Sequence, residues 1–381
     1  MIRGWQLEPR PRPGPGVLLA VPVLSVLAAL VVGAIFLSAI GLAPLAVYRE
    51  ILRVSYTTGY GIADTLVAAA ALILTGLAAG VAFRFKLYNI GGEGQLYVGA
   101  IAAAGAALWL GEGVPAAVAV PLVIAAGAVG GAIWVVIPAL ARAYLRTSEI
   151  ITSLLLNYVA LALMQYLIFG ADTPWRDPNS PTFPRGAPIP DAAVFPRWGT
   201  TRVHLGLLVA IVAAVVIAVV ISRTRWGFQW RVFGDSPEAA RYAGISSRQV
   251  IVVVLLISGA LAGLAGAGEV AGRAGRLDPN GLVLNLGYNG IIVAALARYN
   301  PLAVIPVGVL VGGILNAGPA LQSLPGQNVP VAISTTLTGA ILIFALAGEL
   351  FVRYRATRRP EAPAPGDEPV AVGATSDGGT P

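Results

Sequence analysis

Apolar runs long enough to cross a bilayer recur along almost the whole chain, at about 17–42, 62–83, 87–110, 114–141, 149–170, 203–222, 249–270, 282–297, 301–318 and 329–350. A spanning helix needs roughly 20 apolar residues, so these runs predict an all-α polytopic membrane protein with ten transmembrane helices and short connections. A water-soluble fold fails on charge. Charged residues make up 11% of the 381 and apolar residues 57%, whereas a soluble domain carries about 25% charged residues. That balance excludes a soluble α/β enzyme, a disordered chain and a nucleic-acid-binding domain. The first run is about twice the length of a signal-peptide core, so it reads as a retained span. The transmembrane domain is therefore placed at 17–352. The proline-rich arm 1–16 and the tail 353–381 are expected to be disordered.

Three counts restrict the chemistry. Cysteine is absent, and His204 is the one histidine, so thiolate sites and sites with two or more histidines are excluded. Neither a metal nor a cofactor is expected. The one lysine, Lys86, is followed by Leu87, so no phosphate-binding loop of the G-x-x-x-x-G-K-[ST] type exists. Energy for pumping must come from an ion gradient or from another chain, and no enzymatic activity is expected of this one.

Orientation follows from the cations. With the N-terminus in the cytoplasm, 17 of the 25 arginine and lysine residues fall on the inside, the bias that sets topology. Both termini are then cytoplasmic, 171–202 is the long outer loop, and 223–249 is the main inner one. Within the inner loop Ser236 can cap a helix, Pro237 can begin it and Gly244 can end it. The resulting short cytoplasmic helix either rests on the membrane or docks a partner.

Two stretches echo each other. Leu74-Thr75-Gly76-Leu77-Ala78-Ala79-Gly80 precedes Asn89-Ile90-Gly91, and Ile257-Ser258-Gly259-Ala260-Leu261-Ala262-Gly263 precedes Asn285-Leu286-Gly287. Five spans separate the copies, an odd number, which predicts two inverted five-helix repeats with a pathway at their interface. Glycines 91, 92 and 94 around Glu93 permit unwound backbone inside the membrane. Residues 89–95 then read either as a broken segment lining the pathway, with Asn89, Glu93 and Gln95 offering hydrogen bonds, or as an edge loop in which Glu93 pairs with Arg84 or Lys86. Asn157, Asn285 and Asn289 can bond between helices or contact a polar solute. Tyr158 and Tyr288 can stack on a planar ligand or belong to interfacial belts. Glu269, near Arg273 and Arg276, reads as half of a surface ion pair, His204 as interfacial, and Glu149 as a span-end residue without a special role. Paired small residues, among them Gly76/Gly80, Gly127/Gly131 and Gly259/Gly263, let helices approach closely.

Four blocks in order resemble one family. Phe85 to Ala100, containing Asn89-Ile90-Gly91-Gly92-Glu93-Gly94-Gln95, is similar to the N-I-G-x-E-G-Q signature of permease subunits of bacterial ABC importers. Glu149 to Tyr158, Pro237 to Ile245 and Asn285 to Leu296 resemble the later blocks of that family, whose members import branched-chain amino acids, simple sugars and nucleosides. The E-G-Q form with a long outer loop most resembles the nucleoside branch. The resemblance implies a multi-pass permease of the bacterial inner membrane, paired with a second related permease or a copy of itself. It further implies a cytoplasmic ABC ATPase and an extracytoplasmic solute-binding protein or lipoprotein. On that reading 234–246, with Asp235, Ser236, Pro237, Glu238, Ala239, Ala240, Arg241, Tyr242 and Gly244, is the element that couples ATPase closure to the spans. An importer of ribose or another simple sugar, and an ion-coupled carrier using Glu93 or Glu269, are the competing readings, beside a membrane scaffold that transports nothing.

Overall fold

The computed structural model describes residues 5–9, 14–170, 173–180, 182–322 and 329–358. Strand β1 (Trp5–Pro9) leads into α1 (Pro15–Ala39), α2 (Pro44–Tyr56), α3 (Gly59–Arg84), α4 (Gly92–Leu110), α5 (Ala116–Leu145) and α6 (Glu149–Phe169). After a long loop come α7 (Leu205–Arg223), α8 (Arg225–Asp235), α9 (Pro237–Tyr242) and α10 (Ser247–Ala267), which continues as a π-helical turn over Gly268–Ala274. The chain ends with α11 (Pro279–Leu282), α12 (Leu286–Leu296), α13 (Val304–Asn316), α14 (Gly318–Leu321), α15 (Ala332–Arg353) and β2 (Tyr354–Arg358).

Each of the ten apolar runs contains a helix, and among the described residues eight stretches are long and apolar enough to cross a membrane. The protein is thus an all-α polytopic membrane protein. The helix α4 and the last span α15 fall outside those eight. The run at 87–110 is shortened because 85–91 is not helical. The run at 282–297 is α12, whose 11 residues span about 16 Å, half a bilayer.

The most enclosed spans are α3 and α10. Helix α3 packs on α12 and α13, and α10 packs on α4 and α5. Each copy of the sequence echo therefore packs against the helices that follow the other copy. Small residues make the crossing of α4, α5 and α10 possible. A Cβ at Gly263 would lie 2.1 Å from the Gly127 carbonyl oxygen, and one at Gly131 would lie 2.2 Å from that of Gly259. The two predicted glycine pairs of α5 and α10 thus face each other.

Helices α1 and α15 lie side by side and, with α2 and α14, form a second apolar cluster around Leu37, Val47, Ile51, Leu321 and Leu337. Beyond these helices β1 pairs antiparallel with β2, Trp5 opposite Arg358 and Pro9 opposite Tyr354. Part of the arm and tail expected to be disordered is therefore a two-stranded ribbon. Adjacent helix ends bring the two strands together without a closing loop. Residues 1–4, 10–13 and 359–381 of those segments lie outside the described residues.

Two amphipathic helices of more than one turn, α2 and α8, were not expected. Val47, Ile51 and Ser55 recur every four residues along α2 and are buried, while Leu45 and Leu52 face outward. This amphipathic helix is tied down by Ser55, whose hydroxyl donates to the Gly313 carbonyl at 2.6 Å. Helix α8 buries Trp230 and Phe233, with Trp230 edge-on to Phe85 at 5.7 Å. The long loop before α7 folds back on the π turn, where the Ile189 and Phe195 amides donate to the Gly275 and Ala271 carbonyls at 3.0 and 2.8 Å.

Candidate functional site

Non-helical backbone at membrane depth must find partners within the protein, and residues 85–91 find them on one face of α6. Glu149, Ser153 and Asn157 stand four residues apart. The Glu149 carboxylate accepts from the Tyr88 amide at 3.2 Å, the Ser153 hydroxyl from the Ile90 amide at 3.2 Å, and the Asn157 carbonyl from the Gly94 amide at 2.8 Å. Asn157 also donates to the Ile90 carbonyl and to the Tyr288 hydroxyl, both at 3.0 Å. Glycine is required where the segment meets α6. A Cβ at Gly94 would lie 2.8 Å from the Asn157 carbonyl oxygen, and one at Gly91 would lie 2.8 Å from the Ser153 Cβ.

On the other flank Asn89 and Gln95 exchange two amide hydrogen bonds of 2.9 Å. Asn89 also donates to the Ser258 hydroxyl at 2.9 Å, and Ser258 donates to the Ala78 carbonyl at 2.6 Å. Ser258 lies eleven residues into α10, about 16 Å from its first residue, so the network sits near the middle of the span Ser247–Ala274. Across the molecule the Thr75 hydroxyl donates to the Leu286 carbonyl at 3.0 Å. Thr75 and Ser258 hold the same place in the echo, and each bonds the broken segment of the opposite half. The packing exchange seen in whole helices is thus repeated at single hydroxyl groups.

Glu93 stands where the halves meet. It is 2% exposed, and its carboxylate accepts from the Tyr97 hydroxyl at 2.7 Å and the Gly287 amide at 2.5 Å. The backbone at Tyr288 and Asn285 completes that shell. The carboxylate therefore sits on the first turn of α12, where unpaired amides and the helix dipole favour negative charge. Among the described residues Glu93 makes no ion pair, so the pairing with Arg84 or Lys86 is not what the structure holds.

Asn89, Glu93, Gln95, Asn157 and Tyr288 thus belong to one connected network. Asn289 is buried apart from it and donates to the Leu284 carbonyl at 3.4 Å. Asn285, with φ of 55°, and Tyr158 are exposed, and Tyr288 is half-buried. The partners Tyr97, Ser153, Ser258, Thr75 and Glu149 were not expected. Their signals were the four-residue spacings on α4 and α6 and the shared hydroxyl position in the echo.

The segment 234–246 folds as its cap residues predict. The Ser236 hydroxyl accepts from the Ala239 amide at 3.2 Å, Pro237 opens the helix, and Gly244 adopts φ of 75° past its end. Ala240 is buried, whereas Asp235, Pro237, Glu238, Ala239, Arg241 and Tyr242 are exposed and Ser236 is half-buried. Helix α8, which precedes α9, packs with Gly234 against Phe85.

At the opposite end a cavity of about 700 Å³ is lined by Asp64, Arg197, Arg202, Glu269 and Arg273. Glu269 does pair with Arg273, but it is 3% exposed within the π turn. The carboxylate is buried while Arg273 is exposed, because the π turn that carries Glu269 packs against α3 and α4. His204 is also buried, capping α7 by accepting from the Gly206 amide at 3.1 Å. Among the described residues no three histidine, aspartate or glutamate side chains converge to hold a metal.

The sequence family described as branched-chain amino acid transport system / permease component matches residues 61–346. The chain is 36% identical to the glucose ABC transporter permease protein TsgB13 of Haloferax volcanii, over 92% of this chain and 93% of that one. It is 32% identical to the guanosine ABC transporter permease protein NupP of Bacillus subtilis, over 88% and 95%. It is 29% identical to the nucleoside ABC transporter permease protein NupB of Lactococcus lactis, over 85% and 89%.

Proposed function

Because the chain belongs to the family of branched-chain amino acid transport system permease components, as a multi-pass inner-membrane protein, we propose that it forms the nucleoside pathway of an ATP-driven importer. Tyr158, Tyr288 and Asn285 carry this reading. Tyr158 and Asn285 are exposed and Tyr288 is half-buried, beside Asn157, which is bonded to the Tyr288 hydroxyl. Aromatic faces offer stacking to a planar base, and an amide offers polar bonds to a sugar. Asn89, Glu93, Gln95 and Asn157 act one layer back and hold the broken segments in register.

The exposed face of α6, with Leu155, Tyr158 and Tyr166, meets a second related permease or another copy of this chain. The pathway then runs between two permeases. A cytoplasmic ABC ATPase docks on α9 through Glu238, Arg241 and Tyr242, and a solute-binding protein delivers nucleoside to the other face. Contact of α8 with Phe85, just past the end of α3, lets ATPase closure move the ends of α3 and α10 together.

The test is uptake of a labelled nucleoside and of labelled glucose by cells with the gene intact, deleted and restored. Loss of nucleoside uptake alone supports the reading. Loss of glucose uptake alone supports the sugar alternative, which the 36% identity to a glucose permease favours. Uptake into vesicles holding this protein alone, driven by a proton or sodium gradient, would instead support an ion-coupled carrier.

A further inference from the structure

A cavity of about 730 Å³ opens beside α9, between the end of α5 and the start of α10, and Arg142, Arg146, Arg241 and Arg248 line it. One carboxylate offsets the four, as Glu149 holds Arg142 at 3.2 Å. Among the described residues Arg146, Arg241 and Arg248 have no carboxylate partner. Arg248 instead lies over the Tyr144 ring, 5.2 Å from its centroid. Guanidinium groups gathered around one concavity repel each other until an anion sits among them. Their planar donor forks match the oxygens of a phosphate.

A second observation says which phosphate. Along α5, Val129, Ile133, Ile137 and Leu140 are exposed, and the exposed Tyr144 follows in the last turn. Steps of four and three residues put these side chains on one face of the helix. An apolar stripe down a span, an aromatic ring at its end and a basic cavity beyond reproduce the order of a phospholipid from tail to headgroup.

We propose that this cavity binds the headgroup phosphate of an anionic phospholipid whose acyl chain lies along the α5 stripe. The phosphate joins α5, through Arg146, to α10, through Arg248. The site depends on embedding in a membrane and not on the identity of the transported solute.

Native mass spectrometry of the purified protein, titrated with phosphatidylglycerol or with phosphatidylcholine of the same acyl chains, tests the proposal. The expected result is a preference of roughly tenfold for phosphatidylglycerol, as two or more cations beside an anionic headgroup imply. The double variant Arg146→Asn, Arg248→Gln should lose that preference. Asparagine is chosen because it tolerates the φ of 56° at Arg146. Arg202→Gln, at the opposite end of the bundle, should keep it. Equal binding of the two lipids by the unaltered protein overturns the proposal without any variant. Displacement of phosphatidylglycerol by soluble glycerol phosphate overturns it in favour of a free-anion site. Efficient disulfide cross-linking of Ile133→Cys between two copies in membranes also overturns it, because the stripe would then be covered by protein.

Discussion

The Gly287 amide donates to the Glu93 carboxylate at 2.5 Å, so the first turns of α4 and α12 share one acceptor where the two halves meet. Removing that acceptor leaves buried amides and the Tyr97 hydroxyl unpaired, which costs about 1–3 kcal/mol per group. Glu93→Ala should therefore lower the unfolding temperature in detergent by several degrees. Glu93→Gln keeps the shape and one acceptor oxygen and should lose less. The same midpoint in all three proteins would remove Glu93 from any role in joining the halves.

Glycine spacing makes a sharper contrast. A Cβ at Gly263 would meet the Gly127 carbonyl oxygen at 2.1 Å, whereas one at Gly80 would meet the Ala294 Cβ at 3.8 Å. Gly263→Ala must push two backbones apart and should sharply reduce the yield of folded protein, since overpacking costs about 1–3 kcal/mol or more. Gly80→Ala fills ordinary space and should leave stability within about 0.5 kcal/mol. Size-exclusion profiles and unfolding midpoints of the two variants decide whether contact, rather than glycine itself, sets the outcome.

Long apolar runs made the spans legible, and cap residues made α9 legible, because both are local signals. The broken segment at 89–95 was also visible in its glycines. What stayed hidden was what completes it. Glu149 reads as a span-end carboxylate until the fold brings the Tyr88 amide to it, and Ser258 reads as a small polar residue until it meets Asn89 from 169 residues away. Helices α2 and α8 escaped because each is short and half-polar, and half a helix face only acquires meaning from the surface it covers. The ribbon of β1 and β2 escaped for the same reason, since its pairing depends on two spans at opposite ends of the sequence.

Coupling through α9 can be separated from folding because Glu238 is exposed and makes no ion pair among the described residues. Reversing its charge should leave the unfolding midpoint unchanged while breaking the link between ATP hydrolysis and transport in the assembled importer. Ser236→Ala should act differently. It removes the acceptor for the Ala239 amide, a cap worth about 1 kcal/mol, and so weakens coupling by loosening the helix. Transport-linked hydrolysis at the normal level in Glu238→Arg would exclude α9 as the docking element.

Acid sensitivity should trace to His204. Burial, with the charges of Arg197 and Arg273 nearby, pushes this imidazole down from 6.5 to about 4. Protonation would also remove the acceptor for the Gly206 amide. The unfolded chain binds the proton more readily, so stability is fully present above pH 6.5 and is lost as pH falls towards about 4. The complete loss is on the order of 3 kcal/mol. Over the same range His204→Asn keeps a cap acceptor but has nothing to titrate. Unfolding midpoints between neutral and mildly acid pH should fall steeply for the unaltered protein and more gently for the variant. Parallel falls would assign the acid limb to other groups.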